Sequence, residues 1–272
     1  MRVGQPDEVR FVTKVRVVIL RAAGTNCDYE TEHAWKLAGA DAERVHLDRV
    51  AEQPRLLDNF EILTIPGGFS FGDDIAAGRI FAAQLRRHLH DALCRFVDAG
   101  KLVLGICNGF QVLVQAGLLP ARLPAGEARF CSVTYNAPPG FQDRWLYLQA
   151  SGGRCVYLEA GRRYEMPMAH GEGRVVFASH ADYESIRAAG QDCLHYTGPA
   201  DGEPDLHGKP ENPNGSTGAI AGLCDPTGRI FGLMPHPERF VTWTQHPCWT
   251  SLPERAEGDG LDVFRRAVSY FH

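Results

Sequence analysis

The eleven residues Lys101 to Gln111, K-L-V-L-G-I-C-N-G-F-Q, constrain this chain more than any other stretch. Leu102 to Ile106 is a short apolar run with the length of one buried strand. Cys107 follows at once, flanked by Gly105 and Gly109, and Phe110 to Ala116 reads as the start of a helix. A strand, a tight Gly-X-Cys-X-Gly turn and a helix set a thiol at the top of a sheet. The same geometry exposes the serine of a G-x-S-x-G nucleophile elbow. The glycines matter because the chain reverses sharply and neighbouring backbone must come close. The helix N-terminus favours a thiolate over a thiol. A buried structural cysteine is the competing reading of the pentapeptide, and what the rest of the chain offers as partners decides between them.

The 272 residues suit a large α/β domain that buries its core without disulfides. None of the eight cysteines forms a C-x-x-C pair, so neither a structural zinc site nor any other metal site is expected. A net charge of -5 gives no basic field for nucleic acid or an anionic membrane. No apolar run approaches the roughly 20 residues of a membrane span, and residues 1–13 are polar with no signal-peptide core. The expectation is a cytoplasmic protein, with 1–13 a polar extension and 14–272 a single domain.

Strands are expected at Val15–Leu20, Glu43–Leu47 and Phe60–Ile65, with helices at Tyr29–Leu37 and, as one long element, Ile75–Ala99. Strands alternating with helices, and apolar throughout, imply a mostly parallel sheet covered on both faces. In such sheets ligands bind beyond the carboxyl ends of the strands. After about Leu119 shorter strand-like pieces follow, at Ala128–Tyr135, Trp145–Leu148, Cys155–Leu158 and Arg174–Ala178, with a helix at Asp182–Ala189. Gly198 to Gly218 reads as a loop. Ala219–Cys224 and Ile230–Met234 read as an antiparallel edge hairpin, and Leu261–Tyr270 as a terminal helix.

A cysteine nucleophile needs a base and a group that orients the base. Two His-X-Glu tripeptides compete: His170-Gly-Glu172 and His236-Pro-Glu238. In extended backbone, residues i and i+2 point to one side, so either glutamate can accept its imidazole's second proton. His236 follows an apolar strand directly and so sits at a carboxyl end, as Cys107 does; residue physics favours it. The bland alternative for either is a histidine in a surface turn. Pro66-Gly67-Gly68-Phe69-Ser70-Phe71-Gly72-Asp73-Asp74 also follows a buried strand. Its backbone N–H groups, with that of Asn108, suit an oxyanion hole. The segment lacks the G-K-[ST] ending of a phosphate-binding loop.

Together, G-I-C-N-G-F-Q at 105–111, M-P-H-P-E-R at 234–239 and P-G-G-F-S-F-G-D-D at 66–74 resemble class I glutamine amidotransferases. G-T-N-C-D at 24–28, F-Q-D-R-W at 141–145, A-H-G-E-G-R at 169–174 and N-P-N-G-S at 212–216 narrow the resemblance to the glutaminase subunits (subunit I) of phosphoribosylformylglycinamidine synthase. The resemblance implies a flavodoxin-like fold, a mostly parallel sheet flanked by helices with an antiparallel extension. It implies Cys107 as nucleophile, His236 as base and acid, and Glu238 as its orienting partner. Gly67, Gly68, Phe69 and Asn108 are implied for the oxyanion hole, and Gly68, Gln111, Asn136 and Phe141 for the glutamine pocket. His170 and Glu172 then fall to the partner or the ammonia path. The loop 242–250 lies outside the family motifs and reads as a lid or partner contact, with structural filler the alternative. The implied partners are L-glutamine, a synthetase subunit and a small third subunit. No cofactor is expected in this chain; ATP and Mg²⁺ belong to the synthetase. A different elbow-cysteine hydrolase, such as a γ-glutamyl hydrolase or a peptidase of similar fold, and a non-catalytic binding or regulatory subunit that keeps the fold are the rival readings.

Overall fold

The computed structural model describes residues 14–73, 76–124, 127–200 and 211–272; the polar extension 1–13, Asp74, Ile75 and residues 201–210 of the expected loop lie outside them. The described residues form eleven strands: β1 Arg16–Arg21, β2 Asp41–His46, β3 Ile62–Ile65, β4 Leu102–Ile106, β5 Cys131–Tyr135, β6 Gln142–Ala150, β7 Arg163–His170, β8 Glu172–Phe177, β9 Leu194–Thr197, β10 Ile220–Cys224 and β11 Ile230–Leu233. The helices are α1 Asp28–Leu37, α2 Leu47–Glu52, α3 Arg79–His88, α4 His90–Asp98, α5 Asn108–Gln115, α6 His180–Ala188 and α7 Gly260–Ser269.

Nine strands join one sheet in the order β2-β1-β3-β4-β11-β10-β9-β6-β7, while β5 and β8 pair separately. Neighbours from β2 to β11 are parallel, and those from β11 to β7 are antiparallel. The central strands β3, β4 and β11 are buried at every position, as continuous apolar runs between two layers of helix require. Trp35 and Phe264 meet edge to face at 4.9 Å and pin α1 to α7, while Trp35 Nε1 donates to Thr64 Oγ1 of β3.

Register aligns the ends of these strands. Ile65 of β3 stands beside Gly105 of β4, and Leu233 of β11 beside Ile106. The three segments that follow, carrying Gly67, Cys107 and His236, therefore leave the sheet at one edge. The antiparallel half returns to that edge: Pro167 O in β7 accepts from the His236 N–H at 2.8 Å. Pro167 has no N–H to give a ladder, which suits a terminal strand.

Several sequence expectations need correction. The single helix at 75–99 is two, broken at Leu89, whose backbone (φ -125°, ψ 1°) leaves the helical region. Cys155–Leu158 is a turn, and β7 and β9 are strands that the sequence reading lacked. The 220–233 hairpin exists but is not at an edge, because β11 is inserted beside β4.

The elbow depends on glycines at close approach. A Cβ on Gly109 would lie 1.8 Å from Ile65 O, and one on Gly105 would lie 2.7 Å from Gly109 O. Gly109→Ala is expected to cost at least about 1–3 kcal/mol, since the obstacle is backbone and cannot turn aside. Urea unfolding of the variant checks this; an unchanged midpoint would mean that α5 does not lie this tightly on β3.

Candidate active site

Cys107 is the residue between β4 and α5, and its backbone is left-handed, φ 50° and ψ -105°. For a residue with a Cβ this conformation is strained by about 1–3 kcal/mol. Its N–H is held by Leu233 O of β11 at 2.7 Å and its carbonyl accepts from Gln111 N at 3.1 Å, so both flanking elements fix the turn. The thiol is buried, and its Sγ lies 3.7 Å from Ala169 O of β7.

His236 comes from the loop after β11 and is also buried. Its Nδ1 donates to Glu238 Oε1 at 2.6 Å, and Glu238 is 1% exposed. Burial alone would lower the imidazole's pKa. The Glu238 carboxylate, and after it Cys107, outweigh burial and raise it well above the ordinary value. Gly67 stands where these groups converge: a Cβ there would lie 2.9 Å from His236 Cε1, 3.1 Å from Cys27 Sγ and 3.5 Å from Cys107 Cβ.

A cavity of about 340 Å³ opens beside Cys107, small for a ligand site but of the right order. Gly68, Phe69, Gln111, Phe141, His170 and His236 contribute to its walls. Phe69 and Phe141 are half exposed at its mouth. The loop before it is anchored by an antiparallel bridge from Thr25 to Gly68. That bridge takes the Phe69 N–H, which donates to Gly24 O at 2.9 Å. Phe69 is thus a wall of the cavity and not an N–H donor to it. Asn108 Oδ1 accepts from Ser70 N at 3.3 Å, and Asn108 Nδ2 donates to Asp73 Oδ1 and Gln111 Oε1, which locks the loop to α5. Gln111 Nε2 in turn donates to Glu172 O.

Asn136 does not line the cavity. It is 2% exposed, and its amide is turned inward: Nδ2 donates to Gly140 O and His170 O, and Oδ1 accepts from Gly173 N. Oδ1 also accepts from His170 Nδ1 at 3.1 Å, so Asn136 orients the residue that does line the cavity. Sequence reasoning weighed His170 as a rival base and then left it to the partner or the ammonia path; its place on the cavity wall depends on β7 returning to this edge. His170 and His236 are both buried, not histidines of surface turns. Only His236 is paired with its glutamate; Glu172 is not the partner of His170. His170 Nε2 has no hydrogen-bond partner among the described residues. Burial, with the nearby charge of His236, lowers its pKa to about 3, so it is neutral.

Cys27, before α1, is a second thiol on the cavity wall. Burial pushes it up to about 11, against the influence of His236. Arg239 Nη2 donates to its Sγ at 3.2 Å, and Arg239 Nε donates to Glu30 Oε1 at 2.9 Å. Among the described residues, one potential metal-donor cluster is formed, by Cys27, Glu30, His236 and Glu238.

Known proteins bear on this arrangement. Residues 14–271 match the family described as CobB/CobQ-like glutamine amidotransferase domain. The phosphoribosylformylglycinamidine synthase subunit PurQ of Dehalococcoides mccartyi is 42% identical over 265 residues, 95% of this chain and 98% of that one. The same-named subunit of Methanococcus maripaludis is 36% identical over 94% of this chain and 97% of its own. The chain belongs to the glutamine amidotransferases. A chain in the PurLQS structure of Thermotoga maritima superposes on this amidotransferase with a TM-score of 0.70 and 28% identity, covering 96% of it and 100% of the other. The fold expected from the sequence, a flavodoxin-like amidotransferase with an antiparallel extension, is the fold observed.

A histidine whose folded pKa is depressed is protonated more readily in the unfolded chain, so stability falls as pH drops below the unfolded value near ~6.5. Through His170 this amidotransferase is expected to lose about 2 kcal/mol between about pH 7.5 and pH 5. His170→Gln should flatten that fall, measured by urea unfolding at both pH values. An equally steep fall in the variant would mean that His170 is not neutral when folded.

Proposed function

We propose that this chain is a glutaminase that hydrolyses L-glutamine to glutamate and ammonia through a thioester on Cys107. The ammonia goes to a synthetase subunit that makes formylglycinamidine ribonucleotide in de novo purine biosynthesis. The observation that carries the catalytic reading is the buried His236–Glu238 hydrogen bond at the strand end beside the strained Cys107. The names of the relatives, each a subunit of phosphoribosylformylglycinamidine synthase, support the pathway and the partner. The PurLQS likeness supports an assembly with a synthetase and a small third subunit.

The Cys107 thiolate attacks the carboxamide carbon of glutamine. Negative charge moves to the carbonyl oxygen, which the N–H groups of Gly68 and Asn108 receive. Each such donor is worth about 2.7–4 kcal/mol in the transition state. The His236 imidazolium gives its Nε2 proton to the leaving nitrogen, ammonia departs and the thioester remains. Neutral His236 then takes a proton from water as the hydroxide adds to the thioester. Collapse releases glutamate and restores the thiolate and imidazolium. Glu238 holds the imidazole in the required tautomer throughout. His170 offers its unpartnered Nε2 as an acceptor for the carboxamide N–H or the departing ammonia.

ATP and Mg²⁺ act in the synthetase. Among the described residues no helix is long and apolar enough to cross a membrane, and a cytoplasmic setting fits a biosynthetic complex of this kind.

Cys107→Ala is expected to abolish glutamine-dependent synthesis in the assembled complex while leaving synthesis from added ammonia intact. Glu238→Gln should lower glutaminase kcat by about 10⁴, as loss of the orienting carboxylate does in the comparable serine triad. Both are read by glutamate release and product formation. Retention of glutaminase activity by Cys107→Ala would sink the mechanism.

A further inference from the structure

L-Glutamine carries an ammonium and a carboxylate at its α-carbon, and the residues expected to receive that end are occupied elsewhere. Asn136 is turned inward, and both ends of the Gln111 amide are engaged, Oε1 by Asn108 and Nε2 by Glu172 O. The charged groups on the cavity wall fall into two sets. His236 and Arg239 are cations already held by Glu238 and Glu30. Asp73 and Glu172 are carboxylates.

Asp73 is fixed in place, since its Oδ1 accepts from Gly78 N and from Asn108 Nδ2, each at 3.2 Å. Glu172 opens β8 directly after the bend at Gly171 and is half-buried. Its carboxylate accepts from the Ala77 N–H and forms no ion pair among the described residues. Burial raises its pKa above the ordinary value, and the charge of Asp73 acts in the same direction. Arg79, outside the cavity wall, opposes them. A cation received beside Glu172 relieves both the burial and the repulsion.

The placement along the cavity fits glutamine. β7 passes Cys107 Sγ at Ala169 O, 3.7 Å away, and bends at Gly171 into Glu172. Gln111, whose Nε2 donates to Glu172 O, lies four residues, about 6 Å of helix rise, beyond Cys107. Extended L-glutamine spans about 5 Å from its carboxamide carbon to its α-nitrogen. With the carboxamide at Cys107, the ammonium therefore reaches the level of Glu172. A Cβ on Gly171 would lie 3.9 Å from Phe141 Cδ2, so the Phe141 ring stands over the same bend. It offers an apolar wall to the methylenes between the two ends.

We propose that Glu172, together with Asp73, receives the α-ammonium of L-glutamine and makes the site select an α-amino acid amide over a plain carboxamide. This specificity rests on the glutaminase reading of Cys107. The ammonium keeps its charge throughout the reaction. The contact is therefore equally strong in ground and transition states, and acts on KM more than on kcat.

The test compares L-glutamine with 4-carbamoylbutanoate, the same molecule without its amino group. Hydrolysis is read in the assembled complex by release of glutamate or glutarate. Wild type is expected to favour L-glutamine in kcat/KM by about 10–100-fold, the scale of a hydrogen bond between charged groups. Glu172→Gln keeps an acceptor for the Ala77 N–H and loses only the charge. It should raise KM for L-glutamine by about 10–100-fold and reduce the preference between the two amides to about threefold. A wild type that uses both amides within about threefold overturns the proposal, whether or not the variant folds. So does a Glu172→Gln complex that loses both amides equally, as loss of a merely structural residue would cause. So does one that keeps its KM and only releases ammonia without synthesis, as loss of a residue of the ammonia path would cause. A wild-type complex that hydrolyses neither amide refutes the proposed function itself. Calorimetry of L-glutamine on the Cys107→Ala complex then still reads the Glu172 contact, as a Kd about 10–100-fold higher when Glu172→Gln is added; an unchanged Kd overturns it.

Discussion

The contact between Gly109 and the carbonyl of Ile65 is the constraint on which the site depends. A helix can start directly at the end of β4 only if its first turn lies against the backbone of β3, where no Cβ fits. That approach makes the chain turn within one residue, and Cys107 takes the strain in a left-handed conformation. The strain is held from both sides, by the Leu233 carbonyl of the neighbouring strand and by the first hydrogen bond of α5. The parallel register of β3, β4 and β11 then brings the glycine loop and His236 to the same edge. Packing at one glycine thus dictates where the thiol, the loop and the imidazole meet.

The electrostatics of the cavity follow from burial with unequal partnering. His236 and His170 are both almost fully buried, and both lose hydration of their charged form. His236 has a carboxylate at 2.6 Å, which more than offsets that loss. His170 has only the neutral Asn136 amide, and the charge of His236 acts against it. Two histidines in one cavity therefore differ in charge at neutral pH. One can give and take protons, and the other can only accept a hydrogen bond at Nε2 and present no charge there.

Much of this was legible in the sequence. The strand–elbow–helix pattern, the glycine loop and His-Pro-Glu all lie within a few residues of apolar runs, where local signals are strong. What the sequence did not reveal lies in the antiparallel half. Arg163–His170 alternates poorly, contains a proline and packs on β6, α7 and the His236 loop; its strand character comes from tertiary contacts. Without β7, His170 was only a rival base or a residue of the ammonia path, and Asn136 looked like a substrate ligand and not a brace. The break at Leu89 was hidden for a related reason. Amphipathic periodicity runs on across it, from Phe81 and Leu85 through Leu89 to Leu93 and Phe96, so the pattern carries no mark of the break.

The segment G-T-N-C-D acquires a physical role from these contacts. Thr25 bridges Gly68, and Gly24 receives the Phe69 N–H, so this loop fixes the backbone that follows Gly67. Close approach again demands glycine, since a Cβ on Gly24 would lie 2.0 Å from Phe69 O. The same loop delivers Cys27 to the contact with Arg239, which follows Glu238 directly in sequence. The glycine loop and the His-Pro-Glu loop are thereby tied through a third element outside the elbow. A change in residues 24–28 is felt at the loop and at Arg239 together, although neither side of that coupling lies near it in sequence.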